Sequence, residues 1–409
     1  MNRKKTFYLM APHFGDPFLT KDVGIIPYLM QKYYGYKSVY LTYRPSDGIA
    51  SWPSMQLYTE KVEVEYIEPS FDYHPDHALQ TVFGANIHDC ARDLEQYISI
   101  HATRIDVLFI FGFYSFYFDP VAKYKELNPA GKVYLKLDAN AYWINITPVN
   151  EPLRRFLSQC DLITSETLTE YISQRWSVPI HYLPNGYYPF GEDENYMNKI
   201  ERFEEKEDII LTAARLGDHQ KATHVLLEAF QEAAPYIPDS WKLVLAGSIT
   251  DSFMPYVLKY TLEHPQLNER VVYTGYIHDK KELNKLFSKA KIFALPSITE
   301  GYPNVLSEAK KHGCYLVASD IESCRDAATK HELRLFSLSE QDKKDNRRVE
   351  YGSLHTVGDS HELAYRLIEA CNNQSRLATV CYETQRDAAD HFDWTKLCRK
   401  IDEWLQESI

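Results

Sequence analysis

The feature that most constrains this chain is a rhythm. Short, nearly continuous apolar runs end in Gly, Pro or a polar turn, and segments of helical period follow them. An unalternated apolar run of roughly four to eight residues reads as a strand covered on both faces. In the first half such runs occupy Lys5–Ala11, Ser38–Thr42, Asp106–Phe111, Lys132–Leu137 and Asp161–Thr164. Helical spacing covers Val23–Tyr34 and Asn86–His101, the latter with Ile87, Cys90, Leu94, Tyr97 and Ile98 on one face. Strands alternating with helices predict a parallel, doubly wound sheet. The rhythm breaks near Pro184-Asn185-Gly186-Tyr187-Tyr188-Pro189, and Glu192–Asp208 then carries eight acidic residues, which reads as an interdomain connection. It restarts with strands at Asp208–Ala213, Trp241–Ala246, Val271–Tyr273, Lys291–Leu295 and Tyr315–Ala318. The intervening helices are expected at His224–Ala234, Lys280–Ala290 and Val305–His312, and the tail reads as helical over Glu362–Ala370 and Ser375–Ile409. The expected class is α/β, with two Rossmann-like doubly wound domains, 1–190 and 208–389, joined by a linker at 191–207. Their strand C-termini are expected to face one another across a cleft, where such sheets bind ligands.

Composition narrows the function classes. With 409 residues, 44% of them hydrophobic, the chain can bury ample apolar surface, which excludes a disordered protein. The most apolar stretches, such as Ile105–Phe118, are broken well before the ~18 residues a membrane span requires. A net charge of −12 is the wrong sign for a global nucleic-acid binder. Residues 1–50 carry seven Lys/Arg against three Asp/Glu, read either as a solvated face or as a patch facing anionic lipid. The apolar run Phe7–Ala11 is stopped by Pro12, too short for a signal peptide. Seven widely spaced cysteines without C-x-x-C fit a reducing cytoplasm better than a disulfide framework or zinc site. The expected location is cytoplasmic, peripheral at the inner face of a membrane at most. His74, His77 and His88 lack ligand spacing, so no metal site is expected.

The most informative stretch runs from Leu295 to Ala309. A buried strand ends at Leu295-Pro296-Ser297, a Gly/Pro loop follows, and a helix begins near Asn304. Glu300 sits in the loop and Glu308 on the helix's second turn, eight residues on. Free N–H groups at a helix start form a positive pole suited to phosphate. A carboxylate on either side of that pole suits a diphosphate ligand with hydroxyls at both ends, such as a nucleotide sugar.

This stretch resembles the Glu-x7-Glu motif of the family-4 retaining glycosyltransferases of GT-B fold. Ala214-Arg215-Leu216 followed by Lys221 resembles that family's phosphate-binding Arg and Lys. Leu243–Gly247, Val272–Ile277 and Val317–Asp320 fall in its order and spacing, Leu183-Pro184-Asn185-Gly186 resembles its signature at the end of the N-terminal domain, and Phe392-Asp393-Trp394 resembles the aromatic signature before its last helix. The resemblance implies a role for each residue. Glu308 would accept from the ribose hydroxyls through its two oxygens. Glu300 would contact the donor sugar near the reacting carbon. Arg215 and Lys221 would bind the diphosphate and stabilise the charge that grows as it departs. Backbone N–H groups around Gly301, Tyr302, Asn304 and Val305 would add to that, Ile277 would line the base pocket, and Gly247 would border the substrate. In the first loop, His13 and Gly15 would face the substrate. The C-terminal helix, about 390–409, would pack back on the first domain.

Departures from the pattern are visible. Pro303 has no N–H to give a phosphate. Ala222 follows Lys221 where the family often has Gly, and the His that often follows the middle strand of the first domain is missing from Leu135-Lys136-Leu137-Asp138-Ala139-Asn140. Asp138 is therefore the candidate for the acceptor-side catalytic role, with turn capping as the alternative.

The activity the resemblance implies is retaining transfer of a sugar from a nucleotide diphosphate sugar, UDP-sugar favoured, to a carbohydrate or glycoconjugate acceptor. Bacterial surface polysaccharide or glycoprotein glycan synthesis is the expected setting. No Asp-x-Asp triplet occurs, and Arg215, Lys221 and a helix start can supply the charge a divalent ion would give, so no metal and no cofactor beyond the nucleotide sugar is expected. The alternative is a non-catalytic GT-B subunit that binds acceptor and supports a partner enzyme. The donor sugar, base, acceptor and oligomeric state stay open at this point. The 31 tyrosines, with Tyr33, Tyr34, Tyr36, Tyr40, Tyr43, Tyr114 and Tyr117 in the predicted acceptor half, hint at rings that stack on a sugar.

Overall fold

The computed structural model of the chain describes residues 3–48, 52–59, 62–75, 81–138, 140–192, 195–330 and 348–407. His77 lies outside the described residues. The chain divides into two compact units: one of residues up to Pro184 together with those from Trp394 onward, the other Asn185–Asp393.

The first unit runs β1 (Thr6–Met10), α1 (Asp22–Tyr33), β2 (Lys37–Tyr43), α2 (Pro53–Tyr58), β3 (Glu63–Ile67), α3 (Ile87–His101), β4 (Val107–Phe111), α4 (Phe118–Leu127), β5 (Lys132–Lys136), α5 (Ala141–Ile146), α6 (Glu151–Ser158), β6 (Leu162–Ser165), α7 (Thr169–Trp176) and β7 (His181–Tyr182). Its strands form one parallel sheet in the order β3-β2-β1-β4-β5-β6-β7. Every residue of β1 is buried, and the strand lies inside the sheet, with Leu9 opposite Tyr40 on β2 and Phe109 on β4. Continuous apolar runs mark such central strands.

The second unit runs β8 (Glu207–Ala213), α8 (Thr223–Ala233), β9 (Lys242–Ala246), α9 (Met254–Glu263), β10 (Val271–Gly275), α10 (Lys280–Lys289), β11 (Ala290–Leu295), α11 (Asn304–Lys311), β12 (Tyr315–Ser319), α12 (Glu322–Ala328), β13 (Arg348–Val349), β14 (Gly352–His355), α13 (Ser360–Cys371) and α14 (Gln374–His391). The order is β10-β9-β8-β11-β12-β14-β13, parallel except for the antiparallel β13–β14 pair. The last helix, α15 (Trp394–Glu407), belongs to the first unit, where Tyr34 and Tyr36 donate hydrogen bonds to the Thr395 carbonyl and the Asp402 carboxylate.

Three expectations change. The acidic stretch is not a free linker. Glu201 accepts from Ser288 Oγ and pairs with His312 Nδ1 at 2.7 Å, and the buried Lys206 ammonium caps the carbonyls of Ser288 and Ala290, each at 2.9 Å. Composition could not show that these charges have partners within the second unit. The tail is two helices, broken at Phe392-Asp393, where the buried Phe392 carbonyl accepts from Tyr187 N at 2.7 Å. The tyrosines are largely core. Tyr36, Tyr40, Tyr43 and Tyr117 are buried, and the last three give their hydroxyls to the Gly24 carbonyl, the Asp93 carboxylate and the Met10 carbonyl. A buried phenol needs such a partner, and these rings are not free to stack on a sugar. None of the seven cysteines, all among the described residues, forms a disulfide. Among the described residues no helix is long and apolar enough to cross a membrane.

Candidate active site

In a doubly wound sheet the crevice opens where the strand order reverses, at the carboxyl ends of the two strands on either side. In the second unit those strands are β8 and β11. The loop after β8 carries Arg215 and Lys221, and the loop after β11 carries Glu300. Topology alone thus brings together residues about eighty positions apart.

The contacts are specific. Lys221 Nζ lies 2.5 Å from Glu300 Oε1, and Gln220 Nε2 donates to Glu300 Oε2 at 3.2 Å and to the Thr299 carbonyl at 2.8 Å. The Gln220 carbonyl accepts from Ile298 N at 2.8 Å. Gln220 therefore ties the Glu300 loop to the turn His219–Lys221, a role its sequence did not advertise. Glu300 is only 8% exposed. The turn ends at Ala222, buried and left-handed with φ +45°. An L-residue there is disfavoured by about 1–2 kcal/mol, so the turn that aims Lys221 is held by its surroundings. Asp218 opens the turn, accepting from Gln220 N at 2.9 Å and pairing with Arg215 Nη2 at 2.8 Å. The Arg215 side chain is otherwise two-thirds exposed. Arg215 is thus paired with Asp218, and Lys221 with Glu300.

Beyond Glu300 the chain turns through half-buried Gly301 and buried Tyr302, whose hydroxyl donates to Asp326 at 3.2 Å, and enters α11 at Asn304. No side chain caps α11, whose N-cap is Pro303. Its first-turn N–H groups, including those of Asn304 and Val305, form the positive pole of an eight-residue helix. Glu308, on the next turn, is bound by Lys280 of α10, with Nζ 3.2 Å from Oε1. Lys280 is a partner the spacing did not reveal. Gly247 is required sterically: its φ is +142°, and a Cβ there would lie 1.8 Å from the Ala214 carbonyl oxygen. Its N–H donates to the Gly275 carbonyl at 2.9 Å, so the β8, β9 and β10 ends converge on it. Ile277, two residues past β10, packs half-buried against the core.

In the first unit the order reverses between β1 and β4. His13 follows β1 and meets the rings of Phe18 and Phe83 edge-on. Burial drives its pKa down to about 4, so the imidazole is neutral. Gly15 follows in extended backbone with no atom closer than 3.9 Å to a Cβ position, so sterics do not demand a glycine there. Asp138, past β5, is exposed. Just before it lies a cluster that motif reading missed. Lys136 Nζ, 0% exposed, is 2.9 Å from Asp22 Oδ2 at the start of α1 and bonds Glu166 after β6. Burial raises the Glu166 pKa to about 7 against the opposing pull of Lys136, and Asp138 and Asp22 push the same way as burial. The one available signal was a charged residue inside the apolar run Val133–Leu137, since a lysine there must find carboxylates. Glu300 and Glu308 lie on one loop and helix of the second unit and Asp138 lies in the first unit, the division between donor-side and acceptor-side candidates that the sequence suggested.

Residues 193–380, which lie within the second unit, match the family described as Glycosyl transferases group 1. Two Campylobacter jejuni proteins are similar over shorter stretches. One, N,N'-diacetylbacillosaminyl-diphospho-undecaprenol alpha-1,3-N-acetylgalactosaminyltransferase, is 30% identical over 123 residues, 30% of this chain and 29% of that protein. The other, GalNAc-alpha-(1->4)-GalNAc-alpha-(1->3)-diNAcBac-PP-undecaprenol alpha-1,4-N-acetyl-D-galactosaminyltransferase, is 32% identical over 105 residues, 26% of this chain and 27% of that protein. The matched stretches thus span less than a third of either relative. Solved structures align over nearly the whole chain. Anabaena HepE in complex with UDP and glucose is 14% identical with a TM-score of 0.62, covering 99% of this chain and 100% of that one. Sucrose-phosphate synthase from Thermosynechococcus elongatus is 15% identical with a TM-score of 0.67, covering 99% of each. The lipopolysaccharide outer core galactosyltransferase WaaB is 12% identical with a TM-score of 0.62, covering all of both. At these identities the likeness shows the fold, which is GT-B.

Proposed function

We propose that this chain transfers a sugar from a nucleotide diphosphate sugar, with UDP as the favoured carrier, to a carbohydrate or glycoconjugate acceptor, with retention and without a metal ion. The observation that carries the reading is the Lys221–Glu300 pair at the β8/β11 reversal, with Arg215 on the neighbouring loop and the uncapped start of α11 following Glu300. In this reading Arg215 and Lys221 exchange their carboxylate partners for diphosphate oxygens, and α11 contributes N–H groups. Glu308 takes the ribose hydroxyls. Glu300, freed from Lys221, orients the donor sugar without forming a covalent adduct. The acceptor hydroxyl attacks the anomeric carbon on the face the diphosphate leaves, the bond from that carbon to the phosphate oxygen breaks, and the acceptor proton passes to that oxygen. Preorganised charge at the leaving group is the main source of rate.

The relatives support a setting. Their names describe N-acetylgalactosaminyl transfer to undecaprenol-linked saccharides, and HepE was solved with UDP and glucose. A lipid-linked glycan acceptor in bacterial surface polysaccharide or glycoprotein glycan synthesis suits this chain, working peripherally at the inner face of the membrane. Asp138, exposed past β5, would take the acceptor-side role. The test is mass spectrometry of products after incubation with a panel of UDP-, GDP- and ADP-sugars, with and without EDTA, and NMR of the new anomeric centre. Transfer or hydrolysis with retention in EDTA supports the reading. Nucleotide binding without turnover favours the non-catalytic subunit instead.

A further inference from the structure

Asn185 is the first residue of the second unit and is 5% exposed. Its side-chain Nδ2 donates to the Tyr302 carbonyl at 2.9 Å, and its own carbonyl accepts from Ser307 Oγ. Tyr302 lies two residues after Glu300, and Ser307 lies one residue before Glu308. A single buried residue therefore grips both halves of the segment that carries the two carboxylates. The grip is needed locally. Tyr302 is buried, the next residue is Pro303, and no side chain caps α11, so the loop has few groups of its own to satisfy that carbonyl. The same corner is fastened again where the chain leaves the unit: Tyr187 N donates to the Phe392 carbonyl at 2.7 Å, the Phe392 ring lies 6.5 Å from that of Tyr302, and the Lys310 ammonium sits 4.0 Å over the Phe392 ring.

We propose that Asn185 is a positioning residue for the nucleoside diphosphate sugar. It holds the Glu300 loop and the start of α11 in one fixed relation, so that Glu300, the α11 N–H groups and Glu308 meet the ligand together. The inference rests on the reading of this unit as the donor unit. The residue type fits the task. An amide offers an N–H to the Tyr302 carbonyl, whereas a carboxylate of the same shape would turn an oxygen and a charge toward it.

The test compares wild type, Asn185→Asp, Ser307→Ala and the double variant. Binding of UDP, GDP and ADP is measured by calorimetry, KM for donor and for acceptor by initial rates, and folding by thermal melts. Breaking a buried hydrogen bond of this kind should weaken nucleotide binding by about tenfold or more. Donor KM should rise in step while acceptor KM stays within about twofold. The double variant should lose less than the product of the single losses, because both changes open one clamp. A merely structural role would instead deplete folded molecules, lowering kcat and leaving both KM values unchanged. That result, or wild-type nucleotide affinity in both variants, overturns the proposal. Should Asn185→Asp fail to fold, Ser307→Ala, which removes one oxygen, carries the test alone. If wild type itself binds none of the three nucleotides, the donor reading falls, and this proposal with it.

Discussion

Lys221→Met separates the two jobs of the ion pair at the β8/β11 reversal. The variant keeps the apolar stem and removes the charge that sits 2.5 Å from Glu300 Oε1. Stranding a buried carboxylate costs about 3–5 kcal/mol. Here the Lys221 side chain is 17% exposed and Gln220 still donates to the other Glu300 oxygen at 3.2 Å. The expected loss therefore falls below that range, at about 2 kcal/mol. For a unit of roughly 200 residues this lowers the melting temperature by about 4–8 °C. Glu300→Gln keeps the shape, leaves the more exposed ammonium unpaired and costs about 1 kcal/mol. In the double variant no charge is stranded, so stability should recover by at least ~1 kcal/mol relative to the sum of the single effects. Activity should not recover. Each single variant and the double should turn over at least ~100-fold more slowly, since each lacks a preorganised charge at the leaving group or the donor. Denaturant melts and initial rates with a nucleotide sugar measure both. Near-normal turnover in the double variant would reduce the pair to a structural ion pair and refute the mechanism; strictly additive stability losses would refute the coupling.

Three other outcomes are expected. Gly247→Ala should destabilise the second unit by about 3 kcal/mol or more, because its Cβ would lie 1.8 Å from the Ala214 carbonyl oxygen on a backbone with φ +142°; a chemical melt matching wild type would contradict the geometry. Ala222→Val should cost at least ~2 kcal/mol, since a β-branched side chain must adopt φ +45° in a buried site, whereas Ala222→Gly should stay within about 1 kcal/mol of wild type by the same assay. Glu166 has its folded pKa raised from 4.5 to about 7, so its stabilising contribution is fully present below about pH 4.5 and is lost as pH rises through about 7. Between pH 5 and pH 8 wild type should lose stability relative to Glu166→Gln, by on the order of 2 kcal/mol; a difference that is flat with pH, or runs the other way, would exclude the raised pKa.

The strands were legible wherever a run was buried on both faces, as with Phe7–Met10, Leu108–Ile110 and Ile292–Leu295. Others were not legible. β3 (Glu63–Ile67), at the edge of its sheet, alternates Glu63 and Glu65 with Val64 and Tyr66, and β14 (Gly352–His355), between β12 and the edge strand β13, is four residues long without a distinctive pattern. The donor-side candidates Arg215, Lys221, Glu300 and Glu308 stood out because each lies at a loop or helix start next to a punctuated strand. Their partners Asp218, Gln220 and Lys280 did not, because nothing in the local pattern shows which charge or amide a side chain will meet, and Asn185 stood out only as part of the Leu183–Gly186 signature, with no sign that it binds residues more than a hundred positions on. The tyrosines misled for a related reason. A count of hydroxyls does not show that Tyr40 and Tyr117 spend theirs on the carbonyls of Gly24 and Met10.

By itself the sequence determined two parallel sheets with helices between their strands, because hydrophobic periodicity and turn residues are local properties of the chain. It also determined which loops follow which strands, and hence which residues can reach the β8/β11 reversal. Tertiary structure decided what those residues touch. Only the assembled sheet seats Lys221 on Glu300, confines Gly247 against Ala214, sets Lys136 between Asp22 and Glu166, and lets Asn185 grip the loop and helix that hold the two carboxylates. The physical reason is that burial and pairing energies depend on which distant segments share a low-dielectric interior, and that is fixed by the order of strands in the sheet rather than by the order of residues in the chain.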